Sequence, residues 1–182
     1  MTTTTQIERP GAITFKGNPV TLVGPELHVG DHAPDFQLMT TDLKPVNFSE
    51  LSDGGRRAVL MILIPSIDTS VCALETGKFN RHLGSLSADK IKAVTISADT
   101  PFAQRRWAVQ EGVNNLQMLS DHKDRAFADA YGVYIKELGL LTRAIYLVDK
   151  DGIIRYIQTL PEVAMEPDYD AVLRAARELI SD

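Results

Sequence analysis

The sequence contains one cysteine, Cys72, among 182 residues. A lone thiol cannot close an intrachain disulfide, and without a Cys-x-x-Cys pair there is neither a thiolate zinc clip nor a dithiol redox motif. Its four histidines, His28, His32, His82 and His122, share no ligand spacing, so no metal site is expected. Positive charge is scarce: 19 Lys and Arg against 24 Asp and Glu leave a net charge of −5. That balance argues against nucleic acid and against an anionic membrane surface as main partners, because both need a basic face. No apolar run approaches the roughly 20 residues of a membrane-spanning helix. The stretch Met1-Thr2-Thr3-Thr4-Thr5-Gln6 lacks the basic-then-apolar layout of a secretion signal, so a cytoplasmic address is expected.

What is present is ordinary for a globular protein, with 44% hydrophobic and 24% charged residues. A flexible tail is expected over residues 1–10 and a single domain over 11–182. Two β-prone runs, Ala12–Lys16 and Pro19–Val23, flank Gly17-Asn18 and read as a hairpin capping the domain's edge. The uniformly apolar run Ala58–Ile64 suits a central strand buried on both faces. After it, Cys72, Thr76, Phe79 and Leu83 share one helical face, with Gly84 as a stop. Ile91–Ala98 reads as a second strand. Thr100 and Pro101 then cap and open a helix whose buried side is expected to use Phe102, Ala103 and Trp107. A strand over Leu116–Leu119 and a helix over Lys123–Tyr131 follow. A hairpin turns at Lys150-Asp151-Gly152, and a final amphipathic helix starts after Pro167-Asp168. This order predicts an α/β, thioredoxin-like fold with an N-terminal β-hairpin extension.

A lone cysteine is more often buried filler than catalyst, and position argues otherwise here. Pro65 ends the apolar strand with a residue that has no N–H. Thr69 stands three residues before Cys72, where it can cap the helix or offer its hydroxyl to whatever binds the sulfur. Cys72 falls in the first helical turn, where free N–H groups and the helix dipole favour an anionic sulfur. A nearby arginine would complete such a site, since it stays charged and can bond both a thiolate and an attacked oxygen.

Pro65, Thr69 and Cys72 form the Pro-x-x-x-Thr-x-x-Cys pattern, and the sequence resembles the thiol peroxidase branch of the peroxiredoxins. The likeness extends through Phe15–Thr21, Pro65–Thr69, Lys78-Phe79-Asn80, Ile96–Asp99 with Pro101–Gln104, Arg143-Ala144, Val148-Asp149 and Glu166–Tyr169. It implies that Cys72 attacks a peroxide and becomes a sulfenic acid. It implies that Thr69 bonds the peroxide, Arg143 activates the sulfur and polarises the oxygen under attack, and Pro65 excludes solvent. It further implies no cofactor, a thiol reductant such as thioredoxin, and a homodimer.

The sequence departs from that branch where a resolving cysteine usually stands, since Ala108 holds its place. Three readings stay open: recycling by an external thiol, a cysteine replaced at 108, or pairing of Cys72 between molecules. A redox sensor acting through mixed disulfides at Cys72 is the alternative function. A thiol transferase fits less well without Cys-x-x-Cys. Glu75 is expected either to orient Arg143 or to be a solvated acid favoured by the helix dipole, with neither preferred. Asp121–Asp124 reads as a charged helix entrance, Arg105 and Arg106 as a solvated face, Trp107 as core or interface, and Phe79 as core.

Overall fold

A computed structural model describes residues 6–181. Strands β1 (Glu8–Phe15) and β2 (Asn18–Val23) form an antiparallel hairpin. Gly17, at φ 80°, takes its turn in a conformation that glycine enters without strain. The hairpin starts earlier than expected, so residues 8–10 belong to a strand and not to a tail, and residues 1–5 lie outside the described residues. The pairing shifts register between Arg9 and Ile13, which absorbs Pro10 and Gly11 in the strand. Short strands β3 (Leu38–Thr40) and β4 (Pro45–Val46) come next, then helix α1 (Phe48–Leu51). A reciprocal Asn47–Glu50 capping box starts α1.

Strand β5 (Ala58–Leu63) is buried along its whole length. It leads to α2 (Ser70–Leu83), β6 (Ile91–Ser97), α3 (Pro101–Glu111), β7 (Gln117–Ser120) and α4 (Ala126–Tyr131). The chain ends with β8 (Tyr134–Ile135), β9 (Leu140–Leu141), β10 (Ala144–Val148), β11 (Ile154–Thr159) and α5 (Tyr169–Ile180). Seven strands form one sheet in the order β11-β10-β5-β6-β7-β3-β4. Within it β5, β6 and β7 run parallel, while β10 lies antiparallel against β5. A second sheet, β1-β2-β8-β9, carries the N-terminal hairpin. The strand–helix order is the thioredoxin-like one with its hairpin extension.

Strand alternation divides the core in two. Val59, Met61 and Leu63 pack with Phe127 and Tyr131 of α4. Leu60 and Ile62 pack with Phe79 of α2 and with Val172, Leu173 and Ala176 of α5. Side chains change faces at every residue, so this strand must be apolar throughout to serve both layers.

Two expectations about helices need correction. On α3, Phe102 is 69% exposed and Gln104 is fully buried. Pro101 and Gln104 lie three residues apart on the inner face, and Phe102 is rotated about 100° away from Pro101. Gln104 Nε2 donates to Ser97 Oγ and to the Leu119 carbonyl, which lets a polar side chain sit inside. The helix expected from Lys123 begins at Ala126, because Arg125 adopts a left-handed φ of 56°. Asp121 stands at the entrance of that helix, as expected: its buried carboxylate accepts the Phe127 and Ala128 amides and so caps α4.

Candidate active site

The turn between β5 and α2 is built by one carboxylate. Asp99, just beyond β6, accepts from Ser66 Oγ at 2.7 Å, from the Ile67 amide at 2.8 Å and from Ser97 Oγ at 2.7 Å. Pro65 lies buried at the exit of β5. Thr69 is the cap of α2: its Oγ1 accepts from the Cys72 amide at 3.3 Å and donates to the Ser66 carbonyl at 3.2 Å. Cys72 is therefore the third residue of the helix, at the end where backbone N–H groups are unpaired. Its side chain is inaccessible in this conformation.

Arg143 comes from the far side of the sequence. It precedes β10, whose Ala144 pairs with Leu63, so the antiparallel register delivers it to the end of β5 where Cys72 begins. Its Nη2 donates to Cys72 Sγ at 3.0 Å. Its Nη1 donates to Glu75 Oε2 in a short buried ion pair. Its Nε donates to the Val163 carbonyl at 2.8 Å. Three contacts, two to α2 and one to the chain after β11, fix a planar group in one orientation. Only 2% of Arg143 is exposed and Glu75 is fully buried, so their charges meet with little water between them.

Glu75 stands one helical turn beyond Cys72, which settles its open assignment: it holds Arg143 and is not solvated. Burial pushes its carboxyl up from 4.5 to about 7, against the pull of Arg143. The nearby charge of Glu166 pushes the same way. Its second oxygen, Oε1, is buried and has no hydrogen-bond partner in the protein. Glu166 itself is held below the usual carboxylate range by bonds from Lys78 Nζ at 2.9 Å and Tyr169 Oη at 2.8 Å. Tyr169 packs on Phe79 beneath, with ring centroids 5.0 Å apart.

Thr69 and Arg143 thus meet at Cys72, and Pro65 opens the turn that leads to them. Val163 and Asp99 were not read from the sequence as site residues. Val163 acts through a backbone carbonyl, which leaves no side-chain signal. Asp99 had a signal, a carboxylate directly after a strand and before a capped helix. Ala108, on α3, packs partly against the core layer that contains Cys72. Trp107 beside it does the same, and Phe79 is wholly core. Among the described residues, no three His, Cys, Asp or Glu side chains are grouped to hold a metal ion.

Comparison with known proteins agrees with this geometry. The AhpC/TSA family model matches residues 29–157, well over half of the chain. The chain belongs to the AhpC/TSA family. It is 44% identical over 168 residues to a thiol peroxidase of Bacillus subtilis, covering 92% of this chain and 98% of that one. It is 46% identical over 166 residues to a thiol peroxidase of Listeria innocua, covering 91% and 98%. A crystal structure of a peroxiredoxin-like protein from Aquifex aeolicus superposes with a TM-score of 0.85 at 38% identity, covering 96% of this chain and 99% of that one. A thiol peroxidase from Chromobacterium violaceum has a TM-score of 0.80 at 23% identity, covering 91% and 95%, and supports the fold.

Proposed function

We propose that this protein is a thiol-dependent peroxidase that reduces hydrogen peroxide and organic hydroperoxides at Cys72. The observation that carries this reading is the Arg143 Nη2 to Cys72 Sγ contact at 3.0 Å, at a capped helix start. Relatives named thiol peroxidase at 44% and 46% identity support it.

In the first step the Cys72 thiolate attacks the terminal peroxide oxygen. The S–O bond forms as the O–O bond breaks. The sulfur keeps the attacked oxygen as a sulfenic acid, and the other peroxide oxygen leaves and takes up one proton to become water or an alcohol. Arg143 keeps the sulfur company before attack, and its N–H groups face the charge that develops on oxygen. Glu75 is a positioning residue that holds Arg143 in line. Thr69 gives up its Ser66 carbonyl and donates to the peroxide instead, keeping its cap on Cys72. Pro65 keeps water from the sulfur without offering an N–H.

The single cysteine shapes recovery. An external thiol, from thioredoxin or another reductant, condenses with the sulfenic acid to a mixed disulfide and releases water. A second thiol then frees Cys72. The enzyme works in the cytoplasm as a homodimer of single-domain chains, each domain including the hairpin that begins at Glu8. A second reading, a redox sensor acting through a lasting mixed disulfide, is favoured by the same absence of an internal partner.

Rapid mixing with one equivalent of peroxide tests the first step: fast consumption with sulfenate trapped at Cys72 supports it. Full consumption by Cys72→Ser would sink it. Steady-state turnover with thioredoxin, with glutaredoxin plus glutathione, and with dithiothreitol identifies the reductant. Slow turnover with all three, alongside a stable partner adduct in cells, favours the sensor.

A further inference from the structure

We propose that a second site, at the opposite end of β5 from Cys72, binds a small polyphosphate anion of nucleotide size. Ala58, the first residue of β5, is in the wall of an open cleft of about 650 Å³. Arg56, Arg57, Lys90, Lys150 and Arg155 surround it, against only Asp149 and Asp151. The cleft is therefore net positive in a chain whose net charge is −5.

The hydrogen-bonding pattern leaves much of that positive charge uncompensated. Arg57 donates Nε to the Leu51 carbonyl at 2.8 Å and Nη1 to the Ala88 carbonyl. Lys90 donates to the Ile180 carbonyl at 3.1 Å. These are neutral acceptors, which orient the cations without cancelling them. Among the described residues, neither these two nor Lys150 makes an ion pair, and Arg56 meets Asp53 only at 3.5 Å in an exposed position. Asp149 is the exception: it accepts from the Asp151 and Ile153 amides and from Arg155 Nε at 2.6 Å, so its charge is already spent locally. Lys92 lies opposite Val59 in the β5–β6 register, next to the cleft wall. Burial and then the charge of Arg57 both hold its ammonium below the usual range.

The shape narrows the ligand. Four segments converge there: the turn before β5, the turn before β6, the β10–β11 turn and the end of α5. Two of the turns are in close register, since a Cβ on Gly55 would lie 3.2 Å from the Lys150 carbonyl. Leu179 and Ile180 supply an apolar wall beside the cations. A phosphate chain on the arginines and lysines with an apolar ring against that wall uses both surfaces. A long nucleic acid or an acidic protein would extend past the cleft onto a surface that carries the chain's whole negative excess. A compact anion meets only the positive part.

Calorimetric titration of the full chain with ATP, with inorganic tripolyphosphate and with adenosine, at low and at raised salt, tests the proposal. ATP is expected to bind more tightly than tripolyphosphate, adenosine not measurably, and salt is expected to weaken ATP. The double variant Arg56→Ala/Lys150→Ala removes exposed cations and is expected to weaken ATP about tenfold or more. Arg105→Ala, a cation elsewhere on the surface, is expected to leave ATP binding as it was. Thermal unfolding confirms that each variant is folded. No heat with about 1 mM ATP at low salt overturns the site. So does equal binding by wild type and the double variant. Equal affinity for ATP and tripolyphosphate overturns the role of the apolar wall, and tighter binding of single-stranded DNA or an acidic protein overturns the small-anion assignment. None of these readouts depends on peroxide, so failure here leaves the Cys72 chemistry standing.

Discussion

The two ends of β5 use the same residue types in opposite ways. At the end that leads to Cys72, Arg143 is 2% exposed and has a specified acceptor for each of three donors. At the other end, Arg56 and Asp53 have side chains 80% and 59% exposed and meet at 3.5 Å. Two unit charges 4 Å apart interact by about 1 kcal/mol in water and about 4 kcal/mol in a partly shielded protein setting. The buried arginine is therefore committed to one geometry. The exposed ones remain free to meet a ligand. Position along a single strand decides which use a cation has, more than the number of cations does.

The sharpest way to break this contrast is Arg143→Ala. Loss of the buried cation leaves Glu75 without its partner, and about 3–5 kcal/mol of stability should disappear in denaturant unfolding. Peroxide reduction by whatever protein stays folded should fall about 10²–10³-fold. Arg143→Met with Glu75→Gln should recover much of the stability and none of the activity. If the single variant is as stable as the parent, the buried pair does not matter as argued.

Glu75→Gln comes second and tests electrostatics alone. In the native protein the Glu75 carboxyl is raised from 4.5 to about 7. The folded state then holds its proton more firmly than the unfolded state. Stability from this group is present below about pH 4.5 and is lost as pH rises through about 7. Glutamine cannot titrate, so the variant should lose this downward slope and gain on the parent as pH rises. Unfolding midpoints across that window decide it; parallel pH curves would remove the assignment. Asp99→Ala should cost about 1–3 kcal/mol by releasing the Ser66 and Ile67 donors, with slower sulfenate formation as the reading that separates misplacement of Cys72 from simple loss of stability. The smallest effect belongs to the exposed end, where Arg56→Ala should change stability by no more than about 0.5 kcal/mol in the same unfolding measurement.

Local features were legible in the sequence. Thr69, Thr100 and Asp168 cap their helices, each accepting from an amide three residues on. Gly17 and Gly152 turn their hairpins, and the unbroken apolar run Ala58–Leu63 is the central strand. What was hidden depends on distant partners or on very short elements. Strands of two residues, such as β4, β8 and β9, have no period to read. Phe102 and Gln104 exchanged roles because hydrophobicity was weighed without knowing that Ser97 and the Leu119 carbonyl would satisfy the amide. Asp121 belongs to the expected helix entrance, but the two amides it accepts lie six and seven positions on, in a helix that starts only at Ala126. At the site, Cys72 and Thr69 were readable from neighbours, whereas Glu75 needed the fold to show which side of α2 meets Arg143.

The N-terminal hairpin was expected to be an ornament at the edge, and its contacts say otherwise. The Thr14 amide donates to the Pro161 carbonyl and the Val163 amide to the Thr14 carbonyl, each within 2.9 Å. Glu162 between them accepts the Lys16 and Gly17 amides. Val163 is the residue whose carbonyl holds Arg143. One short strap thus joins some of the first residues described to the guanidinium beside the sulfur. Its consequence concerns the order of synthesis. A ribosome that has made Cys72 must add 71 residues before Arg143 exists and 20 more before Val163 does. The thiol is among the early parts of the site to be made and the brace that orients its partner is the last, so the growing chain carries an unassisted cysteine until the hairpin at its beginning finds the strap near its end.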